Sequence, residues 1–396
     1  MRSDNLITSL DLGSESIKAL VALDREKQSG FEILAKKQRP SKGIRKGAVE
    51  EPEALTERIE AVTQDLKQEI GQEADQVLIN ISGSHLRCEE SKGTIAVSRA
   101  DQKISQKDID RVIDAAKTFS LPSNQEILDV FPKEYVVDGE EKVGEPLGMQ
   151  GVRLEANVLA TCTFSPYREN LTKAVLDSGL EIKDIEPSPL ASARAILTDR
   201  QRERGSAVLD IGAWSTDLAV FDEKDLIHLA VFPIGSGHIT NDLAIGLKTD
   251  IDLAEKIKRE YGTCKGSRGR GKKITMDEDE SVSFRENDIV KIVEPRVKEM
   301  LEQARNELES ISKEDKLPGG VVLTGGGSVL PGLVDLAKEE LSLPVSTAAP
   351  EHEDLTEAWS TAWGLTLKGT EINNGAPAFK SRLGSRLKKI FKVFVP

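Results

Sequence analysis

Apolar runs and short polar turns follow one another along this chain in a pattern that repeats about half-way through. Leu6 to Asp24 runs LITSLDLGSESIKALVALD: an apolar stretch reaches Asp11-Leu12-Gly13, turns through Ser14-Glu15-Ser16, and resumes as IKALVAL. Two such runs about a Gly/Ser turn predict a β-hairpin. The pattern returns at Ala207 to Asp222 as AVLDIGAWSTDLAVFD, with Asp210-Ile211-Gly212 in the place of Asp11-Leu12-Gly13. A repeat at this distance predicts two homologous halves.

Between and after the hairpins, helix and strand spacings alternate. Residues 53–69 have helical spacing, and 76–82 read as a buried strand. Residues 84–162 are richer in charge, with strands near 93–97 and 152–161 and a helix over 105–118; they read as an inserted subdomain. A helix over 167–177 follows Ser165-Pro166. Residues 241–261 form a helical stretch in two parts, 262–280 a loop, and 288–310 a long amphipathic helix. Residues 321–341 read strand, triple-glycine turn, helix. KGTEINNGAPA (368–378) reads as a linker with little to bury, and 379–396 as a basic tail.

Length and composition refine this. A chain of 396 residues implies two or three domains. With 4% aromatics the core must be aliphatic. The net charge of −13 is unevenly placed: residues 372–396 carry Lys380, Arg382, Arg386, Lys388, Lys389 and Lys392 and no acid. The rest of the chain is therefore more acidic still, which argues against a nucleic-acid partner. Cys88, Cys162 and Cys264 form no C-x-x-C pair, which fits no disulfide framework or zinc site and suits the cytosol. No stretch approaches the roughly 18 apolar residues of a membrane span, and no signal-peptide run opens the chain.

A phosphate cradle needs a small residue in a tight turn, hydroxyls, and a carboxylate for the water shell of Mg²⁺. Both hairpins supply such a set: Asp11, Gly13, Ser14, Ser16 and Lys18 in one, Asp210, Gly212, Ser215 and Thr216 in the other. Two facing loops of this kind suit the β- and γ-phosphates of a nucleotide; ordinary hairpins are the plain alternative. Gly325-Gly326-Gly327-Ser328 follows a strand and precedes a helix, where bare backbone lets a nucleoside lie close. Gly235-Ser236-Gly237-His238 also precedes a helix. Glu255 and Lys258 share one face of the next helix, a spacing equally expected of a solvated salt bridge. Gly266 to Lys272 looks like a P-loop, but Lys273 stands where Ser or Thr is required, so that reading is rejected.

The order of these elements resembles the actin, Hsp70 and sugar-kinase superfamily. Asp11–Lys18 and Leu209–Asp217 fall at its two phosphate loops, Ile185–Ala195 and Trp359–Leu365 at its connecting segments, and Val321–Gly332 at its adenosine loop. Within it the chain is most similar to the FtsA family of bacterial division proteins, over nearly its whole length. The most specific stretches are SGSHL (82–86), EPSPLASARA (186–195), HITNDLAIGLKTDIDLAEKIKREYG (238–262) and VVLTGGGSVLPGL (321–333). The resemblance implies an α/β, actin-like (ribonuclease H-like) two-domain ATPase fold. Subdomain 1A would comprise 1–83, 163–196 and 358–367, and the inserted subdomain 1C would be 84–162. Subdomain 2A would comprise 197–237 and 318–357, and 2B would be 238–317. It further implies ATP and Mg²⁺, with Asp11 and Asp210 on the metal through water and Glu255 and Lys258 on ribose and adenine. Head-to-tail protofilaments and recognition of the FtsZ C-terminal peptide by 2B, through Arg296, also follow from it. The chain departs from the family in its Gly/Arg/Lys-rich segment 262–280 and in Gly235-Ser236-Gly237, where a glycine pair is usual.

On a helical wheel Phe379, Leu383, Leu387, Ile390, Phe391 and Phe394 share one face of the tail, with Lys388, Lys389 and Lys392 opposite. This predicts an in-plane helix on anionic lipid. A nucleotide-regulated, membrane-tethered division adaptor is the reading that uses every feature. A small-molecule kinase lacks an unassigned base beside an acceptor, and a chaperone would need a substrate domain. A pilus-assembly platform of the same fold is disfavoured by HITNDLAIGLKT and the tail. No residue stands out as the water-positioning group, so slow hydrolysis or binding alone is expected.

Overall fold

The computed structural model describes residues 6–374 except 26–29, 73, 99, 267–270, 277–281 and 314–315. The predicted tail helix therefore lies outside the described residues.

The first half opens with strands β1 (Leu6–Leu12), β2 (Ser16–Asp24) and β3 (Phe31–Pro40), a small ribbon of β4 (Ile44–Arg45) and β5 (Ala48–Val49), helix α1 (Pro52–Ile70) and strand β6 (Gln76–Ile81). Proline in its first turn starts α1, and Gly71 at φ 68° ends it. The inserted unit follows: β7 (Arg87–Ala96), α2 (Gln106–Ala116), β8 (Gln125–Val137), β9 (Glu141–Val143) and β10 (Arg153–Phe164). The chain then returns through α3 (Ser165–Asp177), β11 (Glu181–Pro187), α4 (Ser188–Ile196) and α5 (Asp199–Arg204).

The second half repeats the opening with β12 (Ser206–Ile211), β13 (Thr216–Asp222) and β14 (Asp225–Phe232). Helices α6 (Ser236–Leu247) and α7 (Ile251–Tyr261), the ribbon β15 (Lys273–Met276) and β16 (Val282–Arg285), and helix α8 (Glu286–Ser310) come next. Strand β17 (Val321–Thr324), α9 (Leu333–Leu341), β18 (Val345–Thr347) and α10 (Ser360–Asn374) complete the order.

The two large sheets have the same plan. One runs β11-β6-β1-β2-β3 and the other β18-β17-β12-β13-β14. In each, the hairpin strand that leads (β1, β12) pairs antiparallel with its successor and parallel with the strand on its other side. The sequence repeat is thus a repeat of topology. The inserted unit is a separate antiparallel sheet, β7-β10-β8-β9, with α2 on it and its own aliphatic core around Val112, Leu154 and Val158.

One apolar cluster packs α1, α3 and the first sheet and crosses to Val208, Ala219 and Val322 of the second. Another fills the space between the second sheet and helices α6 to α9. Helix α8 serves it through Ile289, Val293, Val297, Met300, Ala304 and Leu308, a three-or-four spacing that keeps one stripe inward.

Helix α4 is buried over its whole length between the halves. Gly364 of α10 lies against the Ala191 backbone of α4, where a Cβ would collide. Arg194 of α4 pairs with Glu186 at 2.5 Å and with Glu371 at 2.6 Å, and Lys368 pairs with Asp184 at 2.8 Å. Arg194, Glu186 and Lys368 are all buried. Two expectations are corrected here. Residues 368–374 are not linker but the last turns of α10, because Lys368 has a buried ion pair and Gly369 packs on Ile7. The segment read as a loop over 262–280 contains β15, which pairs antiparallel with β16.

Candidate nucleotide site

The β1–β2 and β12–β13 hairpins are built alike. The last paired positions are Leu12 with Ile17 and Ile211 with Thr216, so each turn spans the same length. A Cβ on Gly13 would lie 2.8 Å from the Ser16 carbonyl oxygen, and one on Gly212 3.0 Å from that of Ser215. Both turns are tight at the glycine, and a side chain there would force the neighbouring carbonyl to shift.

The turns also touch. The Trp214 indole N–H donates to Glu15 Oε2 at 3.0 Å. Glu15 and Trp214 hold equivalent positions in the repeat, fifth in DLGSE and in DIGAW, so the contact joins the two tips across the cleft.

At the base of the turns sit the acids. Asp11 pairs with Lys18 at 2.9 Å and accepts from Asn80 Nδ2 at 3.2 Å. Asn80 is itself fixed by the Leu12 amide at 2.6 Å and by Ser188 at 2.8 Å. Asp210 accepts from Thr361 Oγ1 at 3.1 Å. Burial, and then the nearby charge of Asp11, push its carboxyl up to about 6. Asp217 lies deeper, with Ser82 Oγ at 3.3 Å; burial and the charge of Asp210 raise it well above the ordinary range. Mutually repelling carboxylates under poor solvation are relieved by a divalent cation. Among the described residues no group of three or more His, Cys, Asp or Glu is close enough to hold a metal directly. A hydrated Mg²⁺ between Asp11 and Asp210 fits this donor set, since Mg²⁺ keeps several of its waters.

The predicted hydroxyls divide. Ser14 borders a cavity of about 360 Å³ at the hairpin tips. Ser16 accepts from Gln38 at 3.0 Å. Thr216 and Ser328 are buried and donate to the Ile234 and Gly325 carbonyls, each at 2.8 Å. These last two hydroxyls hold turns. Ser215 bonds to Asp217.

The glycine triplet divides as well. Gly325 has φ 83°, and a Cβ there would strike the Asp210 carboxylate; at Gly327 it would meet Ile211 and Ser236. Only Gly326 faces open space, with its nearest neighbour Ala358 Cβ at 3.8 Å. Two glycines let the loop pack on β12, and the third leaves its backbone bare.

Gly235 and Gly237 pack against the Gly212 and Ala213 carbonyls. The Ser236 and Gly237 amides donate to those same carbonyls at 2.9 and 2.6 Å, so the start of α6 is spent on the second hairpin. His238 Nδ1 accepts from the Gly235 amide at 3.1 Å, and burial holds the imidazole below its usual range, hence neutral.

Glu255 and Lys258 form a 2.6 Å pair on α7, and both bond Thr240 of α6, at 2.6 and 2.9 Å. Both side chains are thereby held beside the start of α6. Arg296 lies elsewhere: on α8 it grips Asp242 of α6 through two nitrogens, at 2.7 and 2.9 Å, and Glu299 at 2.5 Å.

The sequence reading missed Asn80, Asp217, Thr361 and the Trp214–Glu15 contact. Asp217 and Trp214 were legible by laying the second hairpin on the first, where they fall opposite Lys18 and Glu15. Asn80 and Thr361 come from distant strands and helices and carry no local signal.

Comparison with known proteins places this geometry. A family model described as the SHS2 domain inserted in FtsA matches residues 83–161, and that of cell division protein FtsA matches residues 207–364. The FtsA of Pseudomonas aeruginosa is 35% identical over 94% of this chain and 91% of its own length. The chain belongs to the FtsA family of cell division proteins. The FtsA of Bacillus subtilis is 32% identical over 89% of this chain and 80% of its own length. Among solved structures, the PilM–PilN type IV pilus biogenesis complex superposes with a TM-score of 0.66 at 20% identity, covering 92% of this chain and 98% of that one. MreB5 of Spiroplasma citri bound to ADP gives 0.55 at 14% identity, covering 93% and 95%. These likenesses fix the fold as actin-like, with the FtsA-type insertion occupying β7 to β10. They do not extend the pilus reading to this chain, whose FtsA relatives are much more similar in sequence.

Proposed function

We infer that this FtsA-family chain binds ATP with Mg²⁺ in the cleft between its paired hairpins and assembles on the membrane, where it anchors FtsZ filaments of the division ring. The observation that carries the nucleotide part is the tip-to-tip meeting of two repeat-related glycine turns above Asp11 and Asp210. In this reading Gly13, Ser14, Gly212 and Ser215 surround the phosphates and Gly326 lies under the nucleoside. Glu255 and Lys258 take the ribose and base, and the acids orient the metal's waters. The cation, when bound, neutralises phosphate charge; the chain's own part is to position it.

The membrane part rests on the tail pattern at 379–396, and the partner part on family membership. Among the described residues no helix is long and apolar enough to cross a membrane; lipid contact is assigned to the tail on its amphipathic, basic sequence pattern. The FtsZ peptide is assigned to the second-half subdomain carrying α6 to α8. Arg296 there already grips Asp242, so a peptide carboxylate would compete with Asp242 for it. Many tails on one filament raise the effective affinity of a weak single helix. Electron microscopy of the full chain on anionic lipid monolayers tests assembly: filaments form with Mg-ATP and are lost with Asp210→Asn. Absence of filaments under every nucleotide condition would contradict the polymer reading.

A further inference from the structure

The cavity at the hairpin tips is lined by Ser14 and Trp214 from the two turns, by His238 and Asn241 of α6, and by Arg45 and Lys46 of the β4–β5 ribbon. Arg45 and Lys46 are exposed, and among the described residues no carboxylate pairs with either. With His238 neutral, these two side chains are the cavity's positive charge. Their ribbon is fixed to the first hairpin: the Gly47 amide donates to Ser14 Oγ at 2.8 Å. Gly47 also packs against the Gly83 backbone at the end of β6.

The ribbon turn has a local oddity. Lys46 and Gly47 both have positive φ, 49° and 85°, the conformation of a type I′ turn. Its first position favours Asn, Asp or Gly, whose side chains tolerate the left-handed region; a lysine there opposes local propensity. A residue held against its preference at the mouth of a ligand cleft points to function. Lys46 is also close enough to His238 for its charge to add, after burial and Arg296, to the depression of that imidazole.

We propose that Lys46, presented by the β4–β5 turn at the hairpin tips, binds the terminal phosphate of a nucleoside triphosphate and lets the site distinguish triphosphate from diphosphate. This rests on the nucleotide reading of the cleft. The two turns clamp the inner phosphates, and the next phosphate enters the cavity where Trp214 meets Glu15. That extra charge needs a cation, and Glu15 on the rim supplies the wrong sign. Arg45 adds to the field, while Lys46, tied to Ser14 through the adjacent Gly47, is the one with a defined approach. A diphosphate leaves the cavity empty and does not use Lys46.

The test is calorimetric titration of the full chain with AMPPNP and, separately, ADP, both with Mg²⁺, for the wild type, Lys46→Ala and Lys46→Arg. Loss of one charge-assisted hydrogen bond predicts that Lys46→Ala weakens AMPPNP about tenfold or more. ADP binding should change by less than about twofold, and Lys46→Arg should recover most of the discrimination. Equal loss for both nucleotides, or none for either, overturns the assignment of Lys46 while leaving the nucleotide site standing. Failure of the wild type to bind either nucleotide overturns the nucleotide reading and this proposal together. Matching unfolding midpoints for the three proteins show that the comparison concerns the site and not the fold.

Discussion

Replacing Asp210 by Asn should stabilise the nucleotide-free protein while removing its capacity to organise Mg²⁺. Asp210 is poorly solvated and close to the Asp11 charge, and its carboxyl is pushed from 3.8 up to about 6. At 1.36 kcal/mol per pH unit, this places a cost on the order of 3 kcal/mol on the folded state wherever the group is ionised. Because the folded value is raised, the cost is absent below about pH 4, grows between 4 and 6, and is fully present above 6. Asn keeps the shape and can still accept from Thr361, so the substitution removes the charge and little else. For a half-molecule of roughly 200 residues, about 3 kcal/mol corresponds to roughly 6–12 °C in the unfolding midpoint. The assay is thermal unfolding without nucleotide at pH 7.5 and near pH 4.5. Asp210→Asn should melt higher at pH 7.5, with the gain shrinking as pH falls; Mg-ATP should then raise the wild-type midpoint but not that of the variant. Equal midpoints at pH 7.5 would refute the idea that this carboxylate is held ionised at a cost.

Arg194→Ala would leave the buried Glu186 and the half-buried Glu371 without the guanidinium that joins them; a loss of about 3 kcal/mol is expected, read as a lower denaturation midpoint or insoluble expression. Gly326→Ala should leave stability within about 0.5 kcal/mol, as an exposed substitution does, yet weaken ATP, because its Cβ would enter open space. Gly325→Ala should destabilise the apo-protein by about 1–3 kcal/mol through strain at positive φ and collision with Asp210. Measuring unfolding and ATP affinity for both variants separates the glycine that serves the ligand from the one that serves the loop.

Much of this architecture was legible because it is local. The hairpins, α1, β6, α2, α8 and the strand–glycine–helix unit of 321–341 carry apolar runs or helical patterns in single stretches, and the repeat of DLG in DIG foretold two sheets of one plan. What escaped depends on remote partners. Residues 368–374 look like linker because Lys, Gly, Thr and Asn advertise no core, yet Lys368 is buried by Asp184 and Glu186, which come from β11. Strand β8 was hidden by Pro132 and its charged residues, but its inner end at Tyr135 and Val137 enters the core of the inserted unit. The glycine triplet signalled a special loop without revealing that two of its members answer to Asp210 and Ile211 while Gly326 stands open. The Trp214–Glu15 contact needed the two halves to be brought together before it could be seen.

The central claim joins a membrane tether to a division filament, and vesicle co-flotation tests it most directly. The full chain and a version ending at Ala378 would each be mixed with Mg-ATP, anionic vesicles and FtsZ from the same source. The account predicts that the full chain floats and carries FtsZ with it, while the truncated chain leaves both in the pellet. Flotation of the truncated chain would contradict the tail as tether, and a full chain that floats without FtsZ would contradict the adaptor.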